Sequence, residues 1–259
     1  MAYDFTGKTA AVTGTSGIGL DAALHLARYG ARVFLAGIDA DLNEAAEKAA
    51  GDLAVSVHQI DVSDDGSVAA WFDAIAAATP TLDILVNAAA IQTYGTIETT
   101  TPADWDRSIA VNLRSCYLTA HHGYRLMKAA GSGAIVHVSS VQGHANQDGV
   151  LAYATTKGAI HALTRAMAVD CARDGIRVNS ISPGSIRTPL LEFSARSLAS
   201  QGQSEEEMIA AFGRAHPIGR VGKVSETSAL IAYLCSDAAG FTTGADFLID
   251  GGLSARIGV

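Results

Sequence analysis

The sequence predicts a doubly wound, Rossmann-like α/β fold: a seven-stranded, mostly parallel sheet with helices on both faces. Three observations carry this. Short β-branched or apolar runs alternate with longer stretches of three- and four-residue apolar spacing along nearly all 259 residues. The strand runs are apolar on both faces, which suits a sheet covered on two sides. No Pro/Gly/Ser-rich linker or charge run divides the chain, so one domain over 1–259 is expected. Right-handed crossovers in such a fold put ligands beyond the carboxyl ends of the strands.

The first strand, "KTAAVT" (8–13), runs into "TGTSGIG" (13–19) and then a helical stretch from Ile18 to Gly30. Strand, glycine turn and helix in that order make a phosphate cradle: glycine lets the backbone approach, and the helix N-terminus offers free N–H groups. The second strand, "RVFLA" (32–36), ends in Gly37, Ile38 and Asp39 before the helical "DLNEAAEKAAG". Asp39 either bonds an adenosine ribose or caps that helix. With no Lys or Arg at this end to neutralise a 2′-phosphate, NAD is favoured over NADP.

Polar residues also end the next strands. Asp61, with Val62, follows "AVSVHQI" (54–60); Asn87 ends "LDILVN" (82–87); Ser139 and Ser140 end "AIVHVSS" (134–140). Helices follow at 66–78 and from Pro102 to about Ala130, the latter with Thr101 as N-cap and proline at its first position. A further helix spans 152–175. In it, "YATTK" puts Tyr153 and Lys157 four apart on one face, where a nearby ammonium favours a phenolate. "IRVNSIS" (176–182) and "DFLID" (246–250) complete the strands, and Ser204 with Glu207 forms a capping-box pattern before "MIAAF".

The formal charge of −8 and the lack of a Lys/Arg cluster argue against a nucleic-acid surface. Three cysteines without CxxC spacing read as buried residues of a reducing compartment. The N-terminus lacks a signal-peptide pattern, and no stretch is apolar enough for a membrane span; a cytoplasmic protein is expected. The eight histidines form no metal-ligand pattern, so no metal is expected.

Taken in order, these motifs resemble the single-domain form of the short-chain dehydrogenase/reductase family, over essentially the whole chain. "TGTSGIG" is similar to the family's TGxxxGxG turn, "NAAA" (87–90) to its NNAG, and "VNL" (111–113) to the segment with its asparagine. "VSS" with "YATTK" is similar to its Ser and Tyr-x-x-x-Lys set, "ISPGSIRTPL" to its Pro-Gly segment, and "GADFLIDGG" to its closing strand. Two departures stand out. The glycine turn is one residue short between Gly14 and Gly17, and Ala88 and Ala90 replace the second asparagine and the glycine of NNAG.

The resemblance implies an NAD(P)-dependent oxidoreductase exchanging a hydride with a secondary alcohol or carbonyl. Tyr153 would transfer the proton, Lys157 would lower its pKa and bond the nicotinamide ribose, Ser140 would hold the substrate oxygen, and Asn112 would help hold a water on the lysine. The cofactor would lie against Gly14, Ser16, Gly17, Ile18, Gly19, Asp39, Asp61, Val62, Asn87, Tyr153, Lys157, Pro183, Gly184, Ile186 and Thr188. A substrate lid falls at about 188–220. Gln92, Gln142, His144 and Asn146 beside Ser140 offer amide and imidazole groups that suit a sugar or polyol. The alternatives are a more apolar ketone or steroid-like alcohol, gripped by Leu190, Leu191 and Phe193, or a dinucleotide sensor without turnover. The family also implies a homo-oligomer, a tetramer or dimer, built on the helices around 102–130 and 152–173.

Overall fold

Seven strands form one sheet in the order β3-β2-β1-β4-β5-β6-β7. They are β1 (Thr9–Thr13), β2 (Arg32–Gly37), β3 (Val55–Gln59), β4 (Ile84–Asn87), β5 (Gly133–Val138), β6 (Ile176–Pro183) and β7 (Asp246–Ile249). Every pairing is parallel, so the sheet is wholly rather than mostly parallel. The computed structural model describes residues 3–199 and 202–257. Residues 200 and 201 of the expected lid lie outside this set.

The strands bury both faces because their apolar residues serve two cores in turn. Ala10 and Val12 of β1, Ile84 and Val86 of β4, and Ala134 and Val136 of β5 pack with α1 (Gly17–Arg28) and α9 (Val224–Cys235). Ala11, Leu85 and Ile135, between them in sequence, pack on the other face with α3 (Asp65–Ala78), α5 (Ser115–Ala130) and α6 (Leu151–Cys171). This is period-two alternation with no polar face. The remaining helices are α2 (Ala40–Ala50), α4 (Pro102–Ser108), α7 (Pro189–Leu198) and α8 (Glu205–Ala215).

Local signals fall where expected. Thr101 caps α4 through the Asp104 N–H, and the Ser204–Glu207 capping box closes on itself at α8. Two elements differ. The helix expected from Pro102 to Ala130 is interrupted by a π-helical segment, Ile109–Arg114, between α4 and α5. The helix α9 was not foreseen. Its sheet-facing side includes Thr227 and Ser228, both buried, which blur the apolar period.

Candidate active site

The carboxyl ends of β1, β2, β4, β5 and β6, with the chain just beyond β3, border one cleft of about 700 Å³, closed from above by α7 and α8. Its centre is the β1/β4 boundary, where strand order reverses and the two exits diverge. Thr13 Oγ1 accepts from the N–H groups of both Ala88 and Ala89, at 3.1 Å each, tying the glycine turn to the "NAAA" segment. Helix α1 then starts without a side-chain cap, which leaves its first N–H groups for an anion.

Gly14, Ser16, Gly17 and Ile18 line the cleft, as do Asp39, Asp61 and Val62. Gly19 does not. A Cβ there would lie 2.3 Å from the Gly14 carbonyl oxygen, so this glycine lets α1 sit on β1 instead of touching a ligand. Thr15 in this turn is buried against the end of β2, and a Cβ on Gly37 would fall 2.1 Å from its Oγ1 and 2.4 Å from Asn43 Oδ1. No side chain fits at position 37. The first carboxylate on this strand's exit is therefore Asp39, which accepts from the Leu42 N–H as the N-cap of α2 while bordering the cleft. Asp61 likewise spends Oδ1 on the Ser63 N–H and hydroxyl.

Ser140 and Tyr153 both line the cleft. Ser140 follows β5 and caps the turn at 141–143, its Oγ accepting the Gln142 N–H at 3.1 Å. Tyr153 sits in the first turn of α6, and Lys157 one turn on holds its Nζ 5.4 Å from the centre of the Tyr153 ring. Burial pushes the phenol up to about 12, with the Ser140 hydroxyl pulling the other way. Burial also pushes Lys157 down to about 8. Tyr153 is moved by its burial, by Ser140 and by Tyr94, while the Lys157 ammonium donates to the Val138 carbonyl at 2.8 Å.

Asn112 lies in the π-helical segment, a distortion often found at functional sites. It is buried, and its Oδ1 accepts from Ile91 N–H at 2.8 Å while Nδ2 donates to Ile91 C=O and to Thr156 Oγ1. Thr156 in turn donates to the Tyr153 carbonyl. Both amide N–H groups are used, so this side chain joins the β4 exit to the Tyr153 turn.

Pro183, Gly184, Ile186 and Thr188 line the cleft, with Gln92, Gln142 and Asn146. Two expected residues turn away. Asn87 is buried, accepting from Thr119 through Oδ1 and paired with His137 through Nδ2, because its side chain points toward α5. His144 points to Asp246 instead of the cleft. The sequence reading overlooked Tyr94, Val111 and Phe212, all on the cleft wall. Tyr94 lies just past Gln92, but nothing in the sequence around it distinguishes it from an ordinary loop aromatic. Ile91, which Asn112 ties to Thr156, likewise carries no motif.

A family model described as enoyl-(acyl carrier protein) reductase matches residues 12–254. A cis-4-hydroxycyclohexanecarboxylate dehydrogenase from Sinomonas cyclohexanicum is 38% identical over 98% of this chain and 100% of its own length. A gluconate 5-dehydrogenase from Gluconobacter oxydans (strain 621H) is 34% identical over 98% of each. The crystal structure of levodione reductase superposes with a TM-score of 0.92 at 32% identity, covering 98% of this chain and 100% of that one. These relatives share the whole length of the fold and differ in substrate. The chain belongs to the short-chain dehydrogenase/reductase family and is an NAD(P)-dependent oxidoreductase acting on CH–OH groups.

Proposed function

We propose that Ser140, Tyr153 and Lys157 carry the chemistry on a compact, ring-sized secondary alcohol or its ketone, with NAD as the partner. The observation that carries this reading is that Ser140 and Tyr153 line one cleft, with an ammonium over the tyrosine ring. A bound nicotinamide ring supplies hydride acceptance or donation. Ser140 Oγ holds the substrate oxygen, and Tyr153 gives or takes its proton. Lys157, protonated below about 8, offsets negative charge on the phenol oxygen.

Support for NAD comes from the end of β2. Ile38 is 62% exposed there, Gly37 admits no side chain, and Asp39 presents the local charge. A 2′-phosphate would meet a carboxylate and no cation at that end. The substrate reading narrows the sugar or polyol expectation. Gln142 gives its Oε1 to the Gln147 N–H, and Gln92 donates to the Thr93 carbonyl. Part of the amide capacity is used internally, while Tyr94, Leu190, Leu191 and Phe212 form an apolar wall. A ring with polar groups on one side suits this better than a chain hydroxylated throughout, and the alicyclic and sugar-acid names among the relatives fit both wings of that description.

Tyr153→Phe should retain dinucleotide binding and lose roughly 10²–10⁴-fold in turnover, followed by reduced-nicotinamide absorbance. A Phe variant with wild-type rates would overturn the assignment. The same assay, run with NAD, NADP and a panel of cyclic alcohols, aldoses, sugar acids and hydroxysteroids, tests the rest; preference for NADP or for steroids would sink those parts. Exposed Trp105, Tyr117 and Val169 on α4, α5 and α6 support a homo-oligomer built on these helices, and a monomeric mass by light scattering would remove that part. Three free, buried cysteines are in keeping with a reducing compartment. Among the described residues no helix is long and apolar enough to cross a membrane.

A further inference from the structure

Three residues far apart in sequence meet behind the Ser140 loop, outside the cleft. His144 ends the turn at 141–143, His161 lies on α6 two turns beyond Tyr153, and Asp246 opens β7. His144 Nε2 is 2.7 Å from Asp246 Oδ2, and His161 Nε2 is 3.5 Å from Asp246 Oδ1. Their ligand atoms all lie within 4.8 Å of one another. We propose that His144, His161 and Asp246 form a binding site for a divalent transition metal of the zinc type.

The donor set is two imidazoles and one carboxylate, the chemistry that zinc-class ions select. Tetrahedral coordination at zinc–nitrogen distances separates neighbouring ligand atoms by about 3.3 Å. The His161–Asp246 pair already stands near that spacing, and His144, at 2.7 Å from the carboxylate, moves off it to take its own corner. His161 is buried, whereas the His144 side chain is 39% exposed, so an ion enters from the His144 side and keeps a water there. The site is also braced. Ser180 donates to Asp246 Oδ1 at 2.6 Å, fixing the carboxylate, as outer partners of metal ligands commonly do. Ser139 and Ser182 hydroxyls stand 2.9 and 3.0 Å from His161 Nε2 and must give up these contacts when that nitrogen takes the ion.

His144 reaches this cluster because the turn before it is pressed onto α6. A Cβ at Gly143 would lie 2.6 Å from His161 Cε1 and 2.9 Å from the Lys157 carbonyl carbon, so only glycine brings the loop that close. On binding, His161 directs its Nε2 lone pair to the ion and carries its proton on Nδ1. The ion then clamps the turn at 141–144 to β7. That turn holds Gln142 in the substrate wall, and Ser139 beside His161 donates to the Lys157 carbonyl. Metal occupancy therefore stiffens one wall of the substrate cleft from outside it.

The test uses tag-free, chelator-stripped full-length protein titrated with cobalt(II) and, separately, zinc chloride. One cobalt per chain with visible d–d bands of low-symmetry coordination is expected, with a zinc-dependent rise in melting temperature. His144→Ala and Asp246→Asn, each checked for native circular dichroism, should abolish the bands and weaken zinc at least tenfold. A His121→Ala/His122→Ala protein, lacking the adjacent surface pair on α5, should bind as wild type does. No bands at millimolar cobalt, or unchanged bands in both His144→Ala and Asp246→Asn, would overturn the site. None of these readouts depends on turnover, so they stand apart from the assignment of Tyr153.

Discussion

The floor of the cleft and its lid are held by different forces. The floor is built from strand exits in fixed parallel register, with α1 burying Gly19, Ala22, Ala23, Leu24, Leu26 and Ala27 against the sheet. In the lid, α7 buries only Ala195, and α8 only Ile209 and Gly213. Its connections are ionic: Arg187 bonds both Glu192 and Glu206, and Arg196 bonds Glu205, all at partly or largely exposed positions. Packed cores admit few alternative arrangements, while exposed ion pairs are weak and salt-sensitive. The floor is therefore the more rigid of the two, and α7 and α8 are the less firmly held.

The largest effect that tests this contrast is expected at Lys157, whose charge the floor buries. Lys157→Met should lose turnover by about 10²-fold or more and yet be more stable than wild type at pH 7. The sign follows from linkage. The folded value is about 8 and the usual one 10.5, so between them the unfolded chain binds a proton that the folded chain does not. Wild-type stability rises with pH across that window, and below about 8 the burial cost is present in full. Removing the amine should add roughly 1–3 kcal/mol near pH 7 and little near pH 10.5. Urea midpoints at the two pH values measure this; a variant destabilised equally at both would mean that the floor tolerates the charge without cost.

Gly37→Asp comes next. It installs a carboxylate at the end of β2, where the sterics leave no room beside Thr15 and Asn43. We expect a loss of roughly 1–3 kcal/mol in stability and weaker dinucleotide binding. Tighter NAD binding with an unchanged melting point would show that the shortened turn yields, and that the floor is less rigid than its register implies. The smallest effect belongs to the lid. Arg187→Ala should raise KM roughly twofold to fivefold with kcat nearly constant, and high salt should partly reproduce it in the wild type. A collapse of kcat would place the lid's ion pairs in the rigid part of the molecule.

Much of this was legible from the chain. The β/α alternation, the α4 N-cap, the α8 capping box and the Tyr153–Lys157 spacing are local, and local chemistry decides them. The glycine turn was recognisable with one residue missing, but the position of Thr15 was not. That Thr15 fills the space of a side chain at position 37 depends on how α1, β2 and α2 pack together. Asn87 and Gly19 show the same limit from the other side. Both sit inside recognisable motifs, yet the strand's facing turns one inward and helix–strand contact occupies the other.

The order of residues by itself settled the class of fold and pointed to the strand ends and to the serine, tyrosine and lysine that line one cleft there. These rest on periodicities of two and 3.6 and on spacings within one helix, which survive without knowledge of the rest. Tertiary structure alone decided that Asn112 braces the Tyr153 turn through Ile91 and Thr156, that His144 leaves the cleft for Asp246, and that burial moves Lys157 and Tyr153 in opposite directions. Each of those depends on desolvation and on contacts between segments distant in the chain, and both come into being only when the sheet and its two helical layers close.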